Sequence, residues 1–270
     1  MSKEKILQDR QLELFCRKTA RTAASYLRRL EERDNTPGQV GPFFRLLENI
    51  FVNMGGVYPG RKKAGILCAM APEELIYAAG AVPVRLCPGS YTAYSIGDEY
   101  MPRDACPLVK SVMGYERLRV SRLYEDCGLL VVPVTCDCKK KTAGLLSEIK
   151  PVMALQVPLD KESDLAADIY MSELRRLIPA LEKMTGRQIT AASLEEAVCR
   201  LGAEQYELSR FLEYRRHLII CGIPALCTFW TCEKLIRSGK QVWNIYSSYH
   251  WSAALCLWGR HDTITADMVI

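Results

Sequence analysis

The chain reads as an α/β protein, a parallel sheet flanked by helices. Three observations give that class. Four short runs rich in Val, Leu and Ile alternate with amphipathic stretches between Ala64 and Val157, as strands buried on both faces and joined by crossover helices do. Turn residues bound the runs, with Gly80 before the second and Pro158 after the fourth. A helical pattern without Gly or Pro fills Ile6–Arg33 ahead of them.

Each element follows from its residues. After the first helix, Thr36-Pro37-Gly38 is a break. Phe43–Met54 forms a second amphipathic helix, ended by Gly55-Gly56. The first strand is Ala64–Leu67, followed by Cys68. Pro72, Glu73 and Glu74 then open a helix, where the dipole favours carboxylates. Val82–Leu86 is the second strand and leads into Cys87-Pro88-Gly89 and a polar loop. Cys106-Pro107 starts the helix Leu108–Tyr115. The third strand, Leu129–Val134, contains Pro133, which predicts a sheet edge or a bulge. Val152–Val157 is the fourth. An amphipathic helix over Asp164–Met184 turns Ile169, Leu174, Leu177, Ile178 and Leu181 to one side. Another follows Thr190, with Ser193 and Glu196 spaced as a capping box and a stripe through Val198, Leu201, Leu208 and Leu212.

This divides the chain into an N-terminal helical segment (1–60), an α/β domain (61–160), a helical connector (161–214) and an atypical tail (215–270). All four tryptophans and all three histidines lie after Tyr214, and acidic residues nearly vanish there. The shift marks a small subdomain or a tail translated outside its ancestral frame, and the second is the expectation. The second domain is then incomplete.

Bulk properties exclude several classes. A length of 270 residues, 49% hydrophobic, suffices for one large or two small domains. The net charge of +5 is too thin to argue for nucleic acid. No stretch of apolar residues is long enough to span a membrane, and Met1–Arg21 lacks the apolar core of a secretory signal. A cytoplasmic protein is expected. Neither G-x-G-x-x-G nor a P-loop is present, and the histidines have no metal-ligand spacing.

Twelve cysteines in such a chain favour metal, cluster or redox chemistry over disulfides. Cys16 and Cys199 sit within helical patterns and read as small buried hydrophobes. Cys68, Cys87, Cys106 and Cys136 fall at carboxyl ends of strands or at the helix starts facing them, where ligands collect in open parallel sheets. A thiolate at a helix start is stabilised by the dipole and free N–H groups, and Cys106 fits that place best. Thiolates suit soft metals and iron–sulfur clusters. With no Cys-x-x-Cys pair, a cluster has to be assembled from distant segments. Inert loop thiols remain the alternative, and Cys138 is a weaker candidate. Lys139-Lys140-Lys141 reads first as a solvated charge run, second as a partner for an anion.

The segments Cys68–Leu86 (CAMAPEELIYAAGAVPVRL), Cys106–Ser111 (CPLVKS) and Thr135–Lys141 (TCDCKKK) resemble the 2-hydroxyacyl-CoA dehydratase D-component family, which includes benzoyl-CoA reductase subunits. The CPLVKS and KKK variants look closest to its double-cubane cluster branch. The likeness covers Gln39 to Tyr214. It implies two flavodoxin-like domains in a full-length member, with an iron–sulfur cluster ([4Fe-4S] or double-cubane) at their interface. The family's first two cluster cysteines match Cys106 and Cys136, Cys68 would be an added ligand, and Glu74 matches a position near the substrate. The resemblance further implies a CoA thioester substrate, reduction to a ketyl radical, a separate ATP-hydrolysing iron–sulfur activator, and a homologous subunit or a second copy as partner. Double-cubane members instead reduce small molecules. Cys221, Cys227, Cys232 and Cys256 match no family ligand by register, which leaves a non-catalytic or truncated fragment as a further reading.

Overall fold

The computed structural model describes residues 3–32, 41–86, 90–160 and 163–218. The Thr36-Pro37-Gly38 break, Cys87-Pro88-Gly89, the four late cysteines, the tryptophans, His250 and His261 lie outside them, as does the side chain of His217.

Within the described residues the sheet has strands β1 (Lys63–Ile66), β2 (Val82–Arg85), β3 (Cys127–Val134) and β4 (Val152–Gln156). All pairings are parallel, in the order β2-β1-β3-β4. Helices α1 (Lys3–Glu31) and α2 (Gly41–Leu47) precede the sheet, and α2 continues as a π-helical turn over Glu48–Val52. Helix α3 (Glu73–Ala78) joins β1 to β2 and ends at Gly80, whose φ of +79° suits a residue without Cβ. Between β2 and β3 lie α4 (Tyr91–Gly97), α5 (Pro107–Leu118) and the short α6 (Arg122–Glu125). Helix α7 (Asp137–Ser147) joins β3 to β4, and α8 (Ala166–Thr185) and α9 (Ala191–Leu218) follow.

The central strand explains why its run shows no alternation. Leu130 and Val132 enter one core with Val84 and Leu86, under Val112 and Met113 of α5 and Leu146 of α7. Leu129 and Val131 enter the other with Ala64 and Ile66, under Leu75 and Ile76 of α3 and Leu177 and Leu181 of α8. Both faces are covered, so every residue is apolar. The first core also takes Phe15 of α1, whose ring meets Tyr115 edge-on at 5.4 Å.

The chain order decides where a ligand can enter. From β1 the chain moves outward to β2, then crosses back to β3 on the other side of β1. The connection leaving β1 packs on one face of the sheet and that leaving β3 on the other. The switch point of the sheet, where ligands enter folds of this kind, therefore lies between the carboxyl ends of β1 and β3.

Several expectations are corrected. Pro133 lies on an inner strand, in register with Leu155. Pairing of β3 with β1 ends at Val131, whose carbonyl accepts from Leu67 N–H. Alternate residues of a parallel strand turn to the same neighbour, so Pro133 presents its missing donor where β1 has already ended. The irregularity falls instead opposite Lys63 and Ala64, where Gly128 is the extra residue. The cap of α9 is Thr190, not Ser193. Thr190 Oγ1 accepts from Ser193 N–H at 3.1 Å while Ser193 Oγ accepts from Thr190 N–H at 3.0 Å, a reciprocal box set three residues earlier. On α9, Val198 is exposed, while Ala197, Leu201 and Glu204 are buried. On α8, Leu177 and Leu181 are fully buried but Ile169 is exposed. Among the described residues no helix is long and apolar enough to cross a membrane.

Candidate functional site

Topology alone brings the candidate thiols to one edge. Because β3 is parallel to β2, α5 must return from the carboxyl edge to the amino edge, so its N-terminus lies at the carboxyl edge. The same holds for α7 between β3 and β4. Cys106 is the N-cap of α5, with Pro107 as its first residue, and Cys136 is the N-cap of α7. Both helices pack on the same face. Their entrances are neighbours: Thr142 Oγ1, one turn after Cys138, stands 3.8 Å from Sδ of Met101 in the segment leading to α5. Neither Cys106 nor Cys136 uses its side chain to cap its own helix, and both are exposed. Both thiols are thus exposed at the starts of two helices that pack on one face of the sheet.

Cys68 lies in the turn after β1, closed by the bond from Ala71 N–H to its carbonyl at 3.2 Å. Burial alone would push its thiol up. The N–H groups of Met70 and Ala69, with the Lys139 ammonium between them in strength, outweigh that and hold it below 9.0. Lys139 also donates to Thr135 Oγ1 at 3.1 Å. It is half-buried, whereas Lys140 and Lys141 are exposed. The basic run therefore divides: one lysine is half-buried against Thr135 and two are solvated.

Other expected residues are placed as follows. Glu74 is half-buried in the first turn of α3, and its charge reaches the Tyr170 phenol, which burial and then Glu74 push up. The Tyr170 hydroxyl donates to Met70 carbonyl at 3.1 Å. Glu73 pairs with Arg85 at 2.5 Å, both side chains 12% exposed, so it anchors α3 to β2. Cys138 packs against the core of the first face. Cys16 is half-buried, as a small hydrophobe in a helix should be, and burial raises its thiol. Cys199 is exposed, contrary to expectation, because the side of α9 that meets the core carries Ala197, Leu201 and Glu204.

Sequence reasoning passed over Lys110 and Ser111. Both are buried, at 1% exposure, on the α5 turn following Cys106. Their signal was their place within CPLVKS, where a helix facing a core should carry apolar residues.

The rim suits a soft metal centre in part. It offers exposed thiols at helix N-termini, the donor type that holds iron–sulfur clusters. Among the described residues, however, no three His, Cys, Asp or Glu side chains group closely enough to hold a metal ion. A complete ligand set has to draw on groups beyond these.

Comparison with known proteins gives the family. The sequence profile of the family described as 2-hydroxyglutaryl-CoA dehydratase, D-component, matches residues 68–235. The match continues past Tyr214, where likeness was expected to end. The Escherichia coli (strain K12) protein YjiM is 32% identical over 162 residues, 60% of this chain and 41% of YjiM. Lactoyl-CoA dehydratase subunit beta of Anaerotignum propionicum is 24% identical over 57% of this chain and 40% of its own. The (R)-phenyllactyl-CoA dehydratase beta subunit of Clostridium sporogenes is 28% identical over 52% of this chain and 37% of its own. The chain spans about two fifths of the length of these curated relatives. With its three motifs set along one parallel sheet and a profile match over more than half its length, this chain belongs to the 2-hydroxyglutaryl-CoA dehydratase D-component family.

Proposed function

We propose that the chain is an iron–sulfur cluster-bearing subunit of a 2-hydroxyacyl-CoA dehydratase-type enzyme, supplied with a low-potential electron by an ATP-hydrolysing activator. What supports this is the pair Cys106 and Cys136, both exposed and each at the start of a helix that packs on the same face of the sheet. These two thiolates would hold the cluster, with Cys68 as a third donor. A bound cluster supplies electron storage and a Lewis-acidic iron toward substrate oxygen.

The chain's own residues then do three things. The starts of α5 and α7 hold Cys106 and Cys136 at the surface. Lys139 sets a positive charge beside Cys68, which favours an anionic centre or a thioester's phosphates. Glu74 brings a carboxylate to the first turn of α3, a position suited to proton transfer with a substrate held at the switch point.

The test is anaerobic reconstitution of the whole chain with iron and sulfide. Iron and acid-labile sulfide should bind, with visible absorbance, and both Cys106→Ser and Cys136→Ser should lose most of it. Cys199→Ser should not. A wild-type chain that retains no iron removes this reading.

A second reading has one observation in its favour, the absence of a three-donor group among the described residues. In it the chain completes its site only with a homologous subunit. Iron binding that appears on mixing with such a subunit, and not before, selects it.

A further inference from the structure

The residues of α5 just after Cys106 spend their polar groups on one task. The Lys110 ammonium stands 2.5 Å from Asp98 Oδ1 and donates to the Arg103 carbonyl at 2.8 Å, while the Tyr94 ring centroid lies 5.2 Å away. Ser111 Oγ donates to the Ser90 carbonyl at 2.8 Å. All four partners belong to the β2–α5 connection, and none to the sheet. A lysine with a side chain 1% exposed is costly unless it is fully partnered. A core-facing apolar residue would have packed α5 as well. What a lysine adds is reach: its stem crosses from α5 to the loop and ties down both Asp98 and Arg103. The Lys110 N–H also bonds the Cys106 carbonyl at 3.1 Å, so the clamp begins one turn from the thiol.

We infer that Lys110 and Ser111 are positioning residues that clamp the two segments flanking the rim, residues 98–105 and the chain at Ser90, and thereby fix where Cys106 presents its sulfur. The clamp is helped by a close crossing of α4 and α5. Gly97 lies against the Lys110 carbonyl and Gly114 against the Ala93 carbonyl, leaving no space for a Cβ at either. Met101 and Ala105 give the same segment apolar anchors. The inference rests on the proposed role of Cys106, but its test does not.

The experiment is hydrogen exchange by mass spectrometry on the full, unreconstituted chain. Lys110→Met keeps the stem and removes the donor. Amides of residues 98–107 should then exchange about tenfold faster, the order that losing a charged hydrogen bond gives to a local opening, while those of β3 keep their protection. Lys110→Arg should restore much of the protection. Asp98→Asn, at a side chain 46% exposed, removes the charge without touching α5 and should speed the same amides. On reconstitution, Lys110→Met should bind at least about twofold less iron than wild type, with a changed absorbance spectrum. Wild-type protection at 98–107 in both Lys110→Met and Asp98→Asn overturns the clamp, as does equal loss of protection in β3. If exchange responds as stated but wild-type chain holds no iron, the clamp stands and the proposed function falls.

Discussion

The Lys139 ammonium, in the first turn of α7, stands close enough to the Cys68 thiol in the turn after β1 to help lower it, and so links the carboxyl ends of β1 and β3. Residues 71 positions apart thus come together at the switch point of the sheet. Most of what can be tested about the rim follows from such pairings.

Removing the bridge should raise the Cys68 thiol. Burial pushes it up, and Met70 N–H, Lys139 and Ala69 N–H bring it below 9.0. A lowered thiol is more fully thiolate at neutral pH, so Lys139→Met should slow alkylation of Cys68 at pH 7.5. Peptide-resolved alkylation of metal-free protein against pH would read this. An unmoved profile would mean that the lysine contributes nothing.

Cys127 should be inert in the native protein. It is 3% exposed, donates to the Leu123 carbonyl at 3.3 Å, and burial first of all pushes its thiol to about 12. Iodoacetamide at pH 8 should label Cys106, Cys136 and Cys199, all exposed, and spare Cys127 until urea unfolds the chain. Early labelling of Cys127 would show that the start of β3 opens locally.

Glu116 should make stability depend on pH. Its side chain is wholly buried, with Lys150 Nζ 2.9 Å from Oε2, and burial outweighs that cation to raise its carboxyl above 4.5. A raised folded value means stability present below the unfolded value and lost as pH rises through the folded one. Relative to Glu116→Gln, the wild type should therefore be more stable at pH 4 than at pH 7, as urea titrations at both pH values would report. A constant difference would contradict the shift.

Gly114→Ala should cost about 1–3 kcal/mol, the usual penalty of overpacking. A Cβ there overlaps the Ala93 carbonyl, a backbone atom that cannot turn aside. Urea unfolding would measure the loss. Gly144→Ala meets open space within a helix, and should be neutral or stabilising by up to about 1 kcal/mol.

The four strands were legible because each is a compact apolar run between turn residues, and β3 announces its burial on both faces. Helix α4 was read as loop, since Tyr91–Gly97 is short and mixed in polarity. Its cap, Ser90 Oγ accepting from Ala93 N–H at 3.3 Å, is a signal that could have found it. Pro133 misled because local chemistry says only that a donor is missing. Whether a neighbour needs that donor depends on where β1 stops. Cys199 misled because the helical period says which residues share a side but not which side the rest of the fold will cover.

By itself the sequence determined the class of the fold and the order of strands and helices, because hydrophobic period and turn chemistry are local properties. It also determined, through its motifs, that Cys68, Cys106 and Cys136 would stand at helix starts or strand ends. Only the tertiary structure decided that Lys139 turns inward while Lys140 and Lys141 do not, and that Lys110 and Ser111 serve the loop before Cys106. The physical reason is that partners for a buried polar group come from distant segments, and a chain does not record in its neighbours which segment will arrive.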